Sequence, residues 1–131
     1  MTTMQKVVVV AETGIFNPWV EFLIQKLGKW GFRVESRDPK QELRVEDLDK
    51  EAIYFLRVDS YNRRSFEKVE QFVAQKIQTI AIVSADRSDV RADCIKMVQQ
   101  LGANFCLSSG STNLHDLEAY LKNTTVQAVA E

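Results

Sequence analysis

Residues 79–121 read TIAIVSADRSDVRADCIKMVQQLGANFCLSSGSTNLHDLEAYL and hold two turns of a single alternation. The first run, TIAIVS over 79–84, is apolar on both faces and of strand length, the pattern of a strand covered from both sides. Val90, Cys94, Met97, Val98 and Leu101 then recur at helical spacing, and Gly102 stops that helix. Residues 104–108 form a second short strand, and Asn113 opens a last helix with Leu114, Leu117 and Leu121 facing inward. Strand, helix, strand, helix with short connections is the pattern of a parallel sheet with crossover helices.

The same alternation extends back to the start of the chain. KVVVVA over 6–11 is a continuous β-branched run, read as the central first strand. Asn17 and Pro18 form a helix start, the Asn capping free amides and the Pro fitting the first helical position. Val20, Leu23, Ile24 and Leu27 give that helix its apolar face, and Gly31 ends it. Residues 32–36 read as a second strand. The polar stretch 37–51, with Leu43, Val45 and Leu48, gives a weakly marked second helix. AIYFLRV over 52–58 is the third strand, and Ser65 is placed to cap a third helix with Phe66, Val69, Val73 and Ile77 in one stripe. Five strands alternating with five helices predict a three-layer α/β/α domain of flavodoxin-like winding, its parallel sheet in the order 2-1-3-4-5. Residues 1–123 form the domain and 124–131 a frayed tail.

At 131 residues the chain is long enough for one domain with a real core. A net charge of -1 supplies no electrostatic drive toward nucleic acid or an anionic membrane. No apolar run approaches the roughly 20 residues that span a bilayer, and the amino terminus lacks a signal-peptide core, so cytoplasmic residence is expected. Cys94 and Cys106 have no CxxC spacing and the chain has 1 histidine, which favours buried reduced thiols over a metal site. No cofactor is expected.

In such a fold the loops after strands 1, 3, 4 and 5 meet at the carboxyl edge of the sheet, and function belongs there. They hold residues 12–16, 57–64, 84–88 and 108–113. The element order, densest over the last 45 or so residues, resembles that of response-regulator receiver domains. That resemblance implies a paired carboxylate after strand 1 holding Mg²⁺, an Asp at the end of strand 3 taking a phosphoryl group, and a hydroxyl and a Lys binding it. In this chain VVVAE over 8–12 puts Ala11 and Glu12 where two acids are usual, and one carboxylate is a poor Mg²⁺ site. Arg57 falls on the acceptor position. Asp59, two residues on, has the same side-chain parity and reaches the same edge if the strand runs longer. Ser84 keeps the hydroxyl position, Ser109 replaces the Lys, and Cys106 falls at the aromatic switch position on strand 5. These matches imply a degenerate receiver in which Arg57 either pairs with Glu12 as a built-in cation or snorkels outward from the strand end.

Other signals are weaker. Residues 11–14, AETG, are similar to the phosphate loop of flavin-binding flavodoxin-like proteins, but only Thr13 supplies a hydroxyl, and a plain turn is favoured. Ser108 to Thr112 suits an anion nest or, more simply, a loop and cap. His115 reads as a surface residue. Arg63 and Arg64 are followed by Glu67 and Glu70, which describes a solvated face rather than a nucleic-acid site. Trp19 and Trp30 share one side of the first helix, as core residues or as an exposed dock.

The combined expectation is a non-catalytic pseudo-receiver that acts as a protein-protein interaction or signalling adaptor and is not phosphorylated. The resemblance places its partner face on the helix over 88–101, the fifth strand and the last helix, at Lys96, Gln100, Asn104, Ser108, His115, Glu118 and Lys122. The expected partner is a regulatory protein or kinase, or a second copy of the chain. Two alternatives stay open: an atypical phosphoacceptor using Asp59 with Glu12 and Mg²⁺, and a flavin or nucleotide binder through the loop after strand 1.

Overall fold

The computed structural model describes residues 5–11, 18–38, 44–59, 62–85, 87–111 and 113–130. Five strands form one parallel sheet: β1 (Lys6–Val10), β2 (Arg33–Arg37), β3 (Ile53–Asp59), β4 (Thr79–Ser84) and β5 (Phe105–Ser108), in the order β2-β1-β3-β4-β5. Among the described residues four α-helices connect and flank them: α1 (Pro18–Lys29), α2 (Arg63–Ala74), α3 (Ser88–Gln100) and α4 (His115–Ala130). The three-layer winding and strand order are those the sequence predicts.

The central strands are buried on both faces, so each contributes alternately to two cores. Val7, Val9, Ile53, Phe55, Ile80 and Ile82 face α1 and α4, where Leu23, Leu27, Leu117 and Leu121 close over them. Val8, Tyr54, Leu56, Val58, Ala81 and Val83 face α2 and α3, packing on Val69, Phe72, Cys94 and Val98.

The structure corrects four expectations. Of the stretch 37–51, Arg37 ends β2 and the other described residues carry a 3-10 turn, Val45–Asp47, rather than an α-helix, because the few apolar side chains do not repeat at helical spacing; residues 39–43, with Leu43, lie outside the described residues. Ser65 is not the cap of α2: Asn62 is, its Oδ1 accepting from the Arg64 amide at 3.1 Å, so the helix starts three residues earlier, at Arg63. Met97 is 51% exposed rather than part of the α3 face, since Cys94 and Val98 already fill the stripe. Residues 124–130, read as a frayed tail, continue α4 to Ala130, and no Gly or Pro interrupts that stretch. The Asn17 cap proposed for α1 lies outside the described residues.

Three helices end in the same way. In each, the second residue past the cap donates to the carbonyl five residues back, and the residue before it donates to the carbonyl three back: Phe32 to Leu27 and Gly31 to Gly28, Ile77 to Phe72 and Lys76 to Val73, Ala103 to Val98 and Gly102 to Gln99. This closure needs a left-handed residue, and glycine is its usual occupant. Gly31 (φ 96°) and Gly102 (φ 101°) conform, whereas α2 uses Lys76 at φ 60°. Its Cβ crowds the following carbonyl, at a cost of about 1–2 kcal/mol. Lys76→Gly is therefore expected to stabilise the protein by about 1 kcal/mol, read as a higher urea midpoint at unchanged slope.

Candidate functional site at the carboxyl edge

Side-chain parity decides what the sheet gathers at its carboxyl edge. Val7, Val9 and Ala11 share one face of β1 with Ile53 and Phe55 of β3, and with Ile80 and Ile82 of β4. Continuing each strand by two residues puts Arg57, Asp59 and Ser84 on that same face. Asp59 pairs with Ser84 in the last rung between β3 and β4, and Arg57 pairs with Ile82 one side-chain step below. Ser109 follows β5 and donates its amide to the Val83 carbonyl at 2.8 Å, prolonging the ladder. Ala11, Arg57, Asp59, Ser84 and Ser109 thus converge on the ends of four adjacent strands. Glu12, the remaining residue of this set, lies outside the described residues, as does Thr13.

The third strand runs through Asp59, one residue beyond the apolar run that marks it in the sequence. A hydroxyl explains why. Ser65 Oγ accepts from the Asp59 amide at 3.2 Å and donates to the Asn62 carbonyl at 2.6 Å, while the Asn62 amide donates to the Asp59 carbonyl at 3.0 Å. The first turn of α2 therefore braces the backbone at Asp59. Sequence reasoning missed this brace, although a Ser three residues into a helix with spare hydrogen-bonding capacity is a signal for it.

Arg57 is half-buried, and its Nε is shut off from solvent with no hydrogen-bond partner. No ion pair to it occurs among the described residues. Arg91, which the sequence did not single out, donates from Nη2 to the Ala85 carbonyl at 2.9 Å and so holds the exit of β4, while its Nε is likewise buried and unpartnered. A desolvated donor without a partner costs about 1–3 kcal/mol. Replacing Arg57 by an apolar side chain of similar length removes that penalty, so Arg57→Met is expected to raise stability by about 1 kcal/mol in urea unfolding. A loss of stability instead would show that the guanidinium has a strong partner.

The remaining members of the edge are arranged by local bonds. Trp19 Nε1 donates to the Ser111 carbonyl at 2.7 Å, tying the first turn of α1 to the loop after β5. Ser111 in turn donates its amide to the Ser108 carbonyl, with Gly110 at φ 88°, and Asn113 Oδ1 accepts from the His115 amide at 3.1 Å. These are the contacts of a tight loop leading into a capped helix. Trp19 and Trp30 are both half-buried and packed against the α1–α4 core.

Burial pushes the Cys94 thiol above its ordinary pKa, with the charges of Asp93 and Asp59 adding to the effect. Burial alone raises that of Cys106. Both are free thiols, and each is held further from the thiolate form than an exposed cysteine. Among the described residues no three His, Cys, Asp or Glu side chains gather as a metal site. No helix among them is long and apolar enough to cross a membrane.

On the surface assigned to a partner, Lys96, Gln100, His115 and Lys122 are exposed, and Ser108 and Glu118 are half-buried. Lys122 pairs with Glu118 at 3.3 Å along α4. Asn104, though exposed, is committed internally: its Oδ1 accepts from the Thr79 amide at 2.9 Å and its own amide donates to the Thr79 carbonyl at 2.9 Å. Arg63 and Arg64 are exposed at the start of α2.

A doubly wound five-stranded sheet with these connections is the fold of response-regulator receivers, and the comparison with solved structures shows the likeness. The chain is similar to a response regulator from Thermotoga maritima, with 22% identity and a TM-score of 0.65 over 92% of this chain and 97% of that one. It is similar to a response regulator receiver protein from Pseudomonas putida, with 15% identity and a TM-score of 0.67 over 94% and 99%. An orphan response regulator of H. pylori gives 11% identity and a TM-score of 0.63 over 91% and 94%. No protein-family model and no curated protein matches the sequence. The chain has the receiver fold.

Proposed function

We propose that this chain is a non-catalytic signalling module of receiver fold that acts by binding a protein partner and is not regulated by phosphorylation. The observation that carries this is Arg57. A cation with a buried, unpartnered Nε stands where a receiver-like pocket would gather negative charge around a metal. A second cation, Arg91, holds the adjoining loop. The Arg57 guanidinium, on β3 two residues before its end, opposes Mg²⁺ binding there by like-charge repulsion. The partner surface is the outer side of α3, β5 and α4, with Lys96, Gln100, His115 and Lys122 as its exposed groups; the partner is a regulatory protein, a kinase or a second copy of the chain.

One observation favours a different reading. β3 extends to Asp59, whose backbone is braced by Ser65 and which pairs with Ser84. An Asp beside a hydroxyl at a strand end is the minimal constellation of a phosphoacceptor, with Glu12 as a metal ligand. The test is intact-mass measurement of the wild type and of Asp59→Asn after incubation with a small phosphodonor and Mg²⁺. No adduct is expected on either protein. A Mg²⁺-dependent adduct on the wild type that is lost in Asp59→Asn would overturn the proposal in favour of an active receiver.

A further inference from the structure

The opposite, amino edge of the sheet carries an open cleft. Ahead of β4 and β5, a cavity of about 470 Å³ is lined by Val73, Lys76, Ile77, Gln78, Gly102 and Asn104, with Tyr120 of α4 as its remaining wall. It is a wide-mouthed cleft, open to solvent on its outer side, where Lys76, Gly102 and Asn104 are exposed. Its walls are fixed by bonds between elements. Gln78 Nε2 donates to the Tyr120 hydroxyl at 2.9 Å, linking the β4 entry to α4. The Thr79 amide donates to the Asn104 side-chain oxygen and the Asn104 backbone amide donates to the Thr79 carbonyl, so Asn104 is pinned to β4. The side-chain nitrogen of Asn104, which is exposed, has no protein partner among the described residues. Gly102 lies so close to Val73 that an added Cβ would sit 2.8 Å from Val73 Cγ1, so the two closures of α2 and α3 meet at the cavity floor.

The charge at this cavity has one sign. Lys76 is exposed, has no acidic partner among the described residues, and no carboxylate lines the space. It is also the one residue of the three matching helix closures that is not glycine, held at φ 60° against its intrinsic preference. A strained residue at a cavity wall, where glycine serves in the two equivalent places, points to a use for its side chain.

We infer that the amino-edge cavity is a binding site for a small organic oxyanion, a carboxylate or phosphate ester. The anionic group is taken by the Lys76 ammonium and the Asn104 amide, and the body of the ligand lies against Val73, Ile77 and the Tyr120 ring. A charge-assisted hydrogen bond is shorter and stronger than a neutral one, which suits Lys76 to the dominant contact. The site is independent of the carboxyl edge and of the phosphorylation question.

The test is a titration of the full chain, uniformly ¹⁵N-labelled, with inorganic phosphate and then phenyl phosphate, at ionic strength held constant with chloride. Saturable shifts are expected at the amides of Lys76, Ile77, Gly102 and Ala103 and at the side-chain amides of Gln78 and Asn104, with phenyl phosphate the tighter ligand. Lys76→Gly, which keeps the helix closure, is expected to weaken binding about tenfold, and Lys76→Arg to retain it. Absence of saturation, or equal affinity in Lys76→Gly, would overturn the assignment. So would shifts centred instead on Arg57 and Arg91, which would place the anion at the other edge.

Discussion

Phe72→Ala is expected to destabilise the protein by about 3–5 kcal/mol, the cost of truncating a buried phenylalanine where the surroundings cannot collapse. Phe72 is 1% exposed in the core between the sheet and the α2–α3 layer. Its ring meets Tyr54 edge-on, with centroids 5.2 Å apart at 81°. Tyr54 cannot follow into the space, because its hydroxyl accepts from the Asp49 amide at 2.9 Å and its backbone sits in the centre of the sheet. A domain of ordinary stability has about 5–15 kcal/mol in total, so this single change removes about a fifth at the least. Thermal unfolding should fall by roughly 10–20 °C. Met97→Ala, on the solvent side of α3 in the same layer, should change stability by less than about 0.5 kcal/mol. A loss below about 1.5 kcal/mol for Phe72→Ala would mean that this core repacks freely, contrary to the fixed position of Tyr54.

Gly102→Ala is expected to cost about 2–4 kcal/mol, against about 1 kcal/mol for Gly31→Ala, although the two glycines close their helices with the same bonds. Both have positive φ, so both replacements bear the left-handed penalty. They differ in surroundings: a Cβ at Gly31 meets nothing within 4 Å, while one at Gly102 sits 2.8 Å from Val73 Cγ1. The difference in denaturant midpoints therefore isolates the clash from the backbone term. A Val73→Ala change made in the Gly102→Ala background should recover part of the loss, giving a coupling energy of about 1 kcal/mol or more. Equal costs at the two glycines would show that α2 and α3 separate easily where they meet.

Most of the fold was legible because the central strands are buried on both faces. VVVV over 7–10, AIYFL over 52–56 and TIAIV over 79–83 announce covered parallel strands before any pairing is known. Gly31 and Gly102 fixed two helix ends, but the end of α2 was less plain because Lys76 occupies the glycine position. Phe72 escaped the α2 stripe for a related reason. It sits beside Val73 on the shoulder of the helix, and only contact with Tyr54 across the layer shows that it is the more buried of the two.

The site was legible in part. Parity along β3, β4 and β5 brings Arg57, Asp59, Ser84 and Ser109 to one edge, as their spacing predicts. The extension of β3 to Asp59 depends on Ser65, six residues away on the next helix, and no local pattern reports such a bond. Arg91 was invisible for the same reason: its contact is with the carbonyl of Ala85, a backbone group that carries no side-chain signature. The amino-edge cavity arises where two helix closures meet, and its residues, Val73, Lys76, Ile77, Gln78, Gly102, Asn104 and Tyr120, come from segments that no single motif unites.

The indole bond of Trp19 to Ser111 reaches across 92 residues of chain. It places one of the two tryptophans against the loop that leaves β5, while Trp30 lies at the far end of the same helix, next to its closure. The protein therefore contains an unlabelled optical pair. Emission from Trp19 is expected to report displacement of the carboxyl-edge loop, with Trp30, at the other end of α1, as the reference. Single-tryptophan variants would separate the two signals, so that a partner docking near α4 could be timed by stopped flow without a dye.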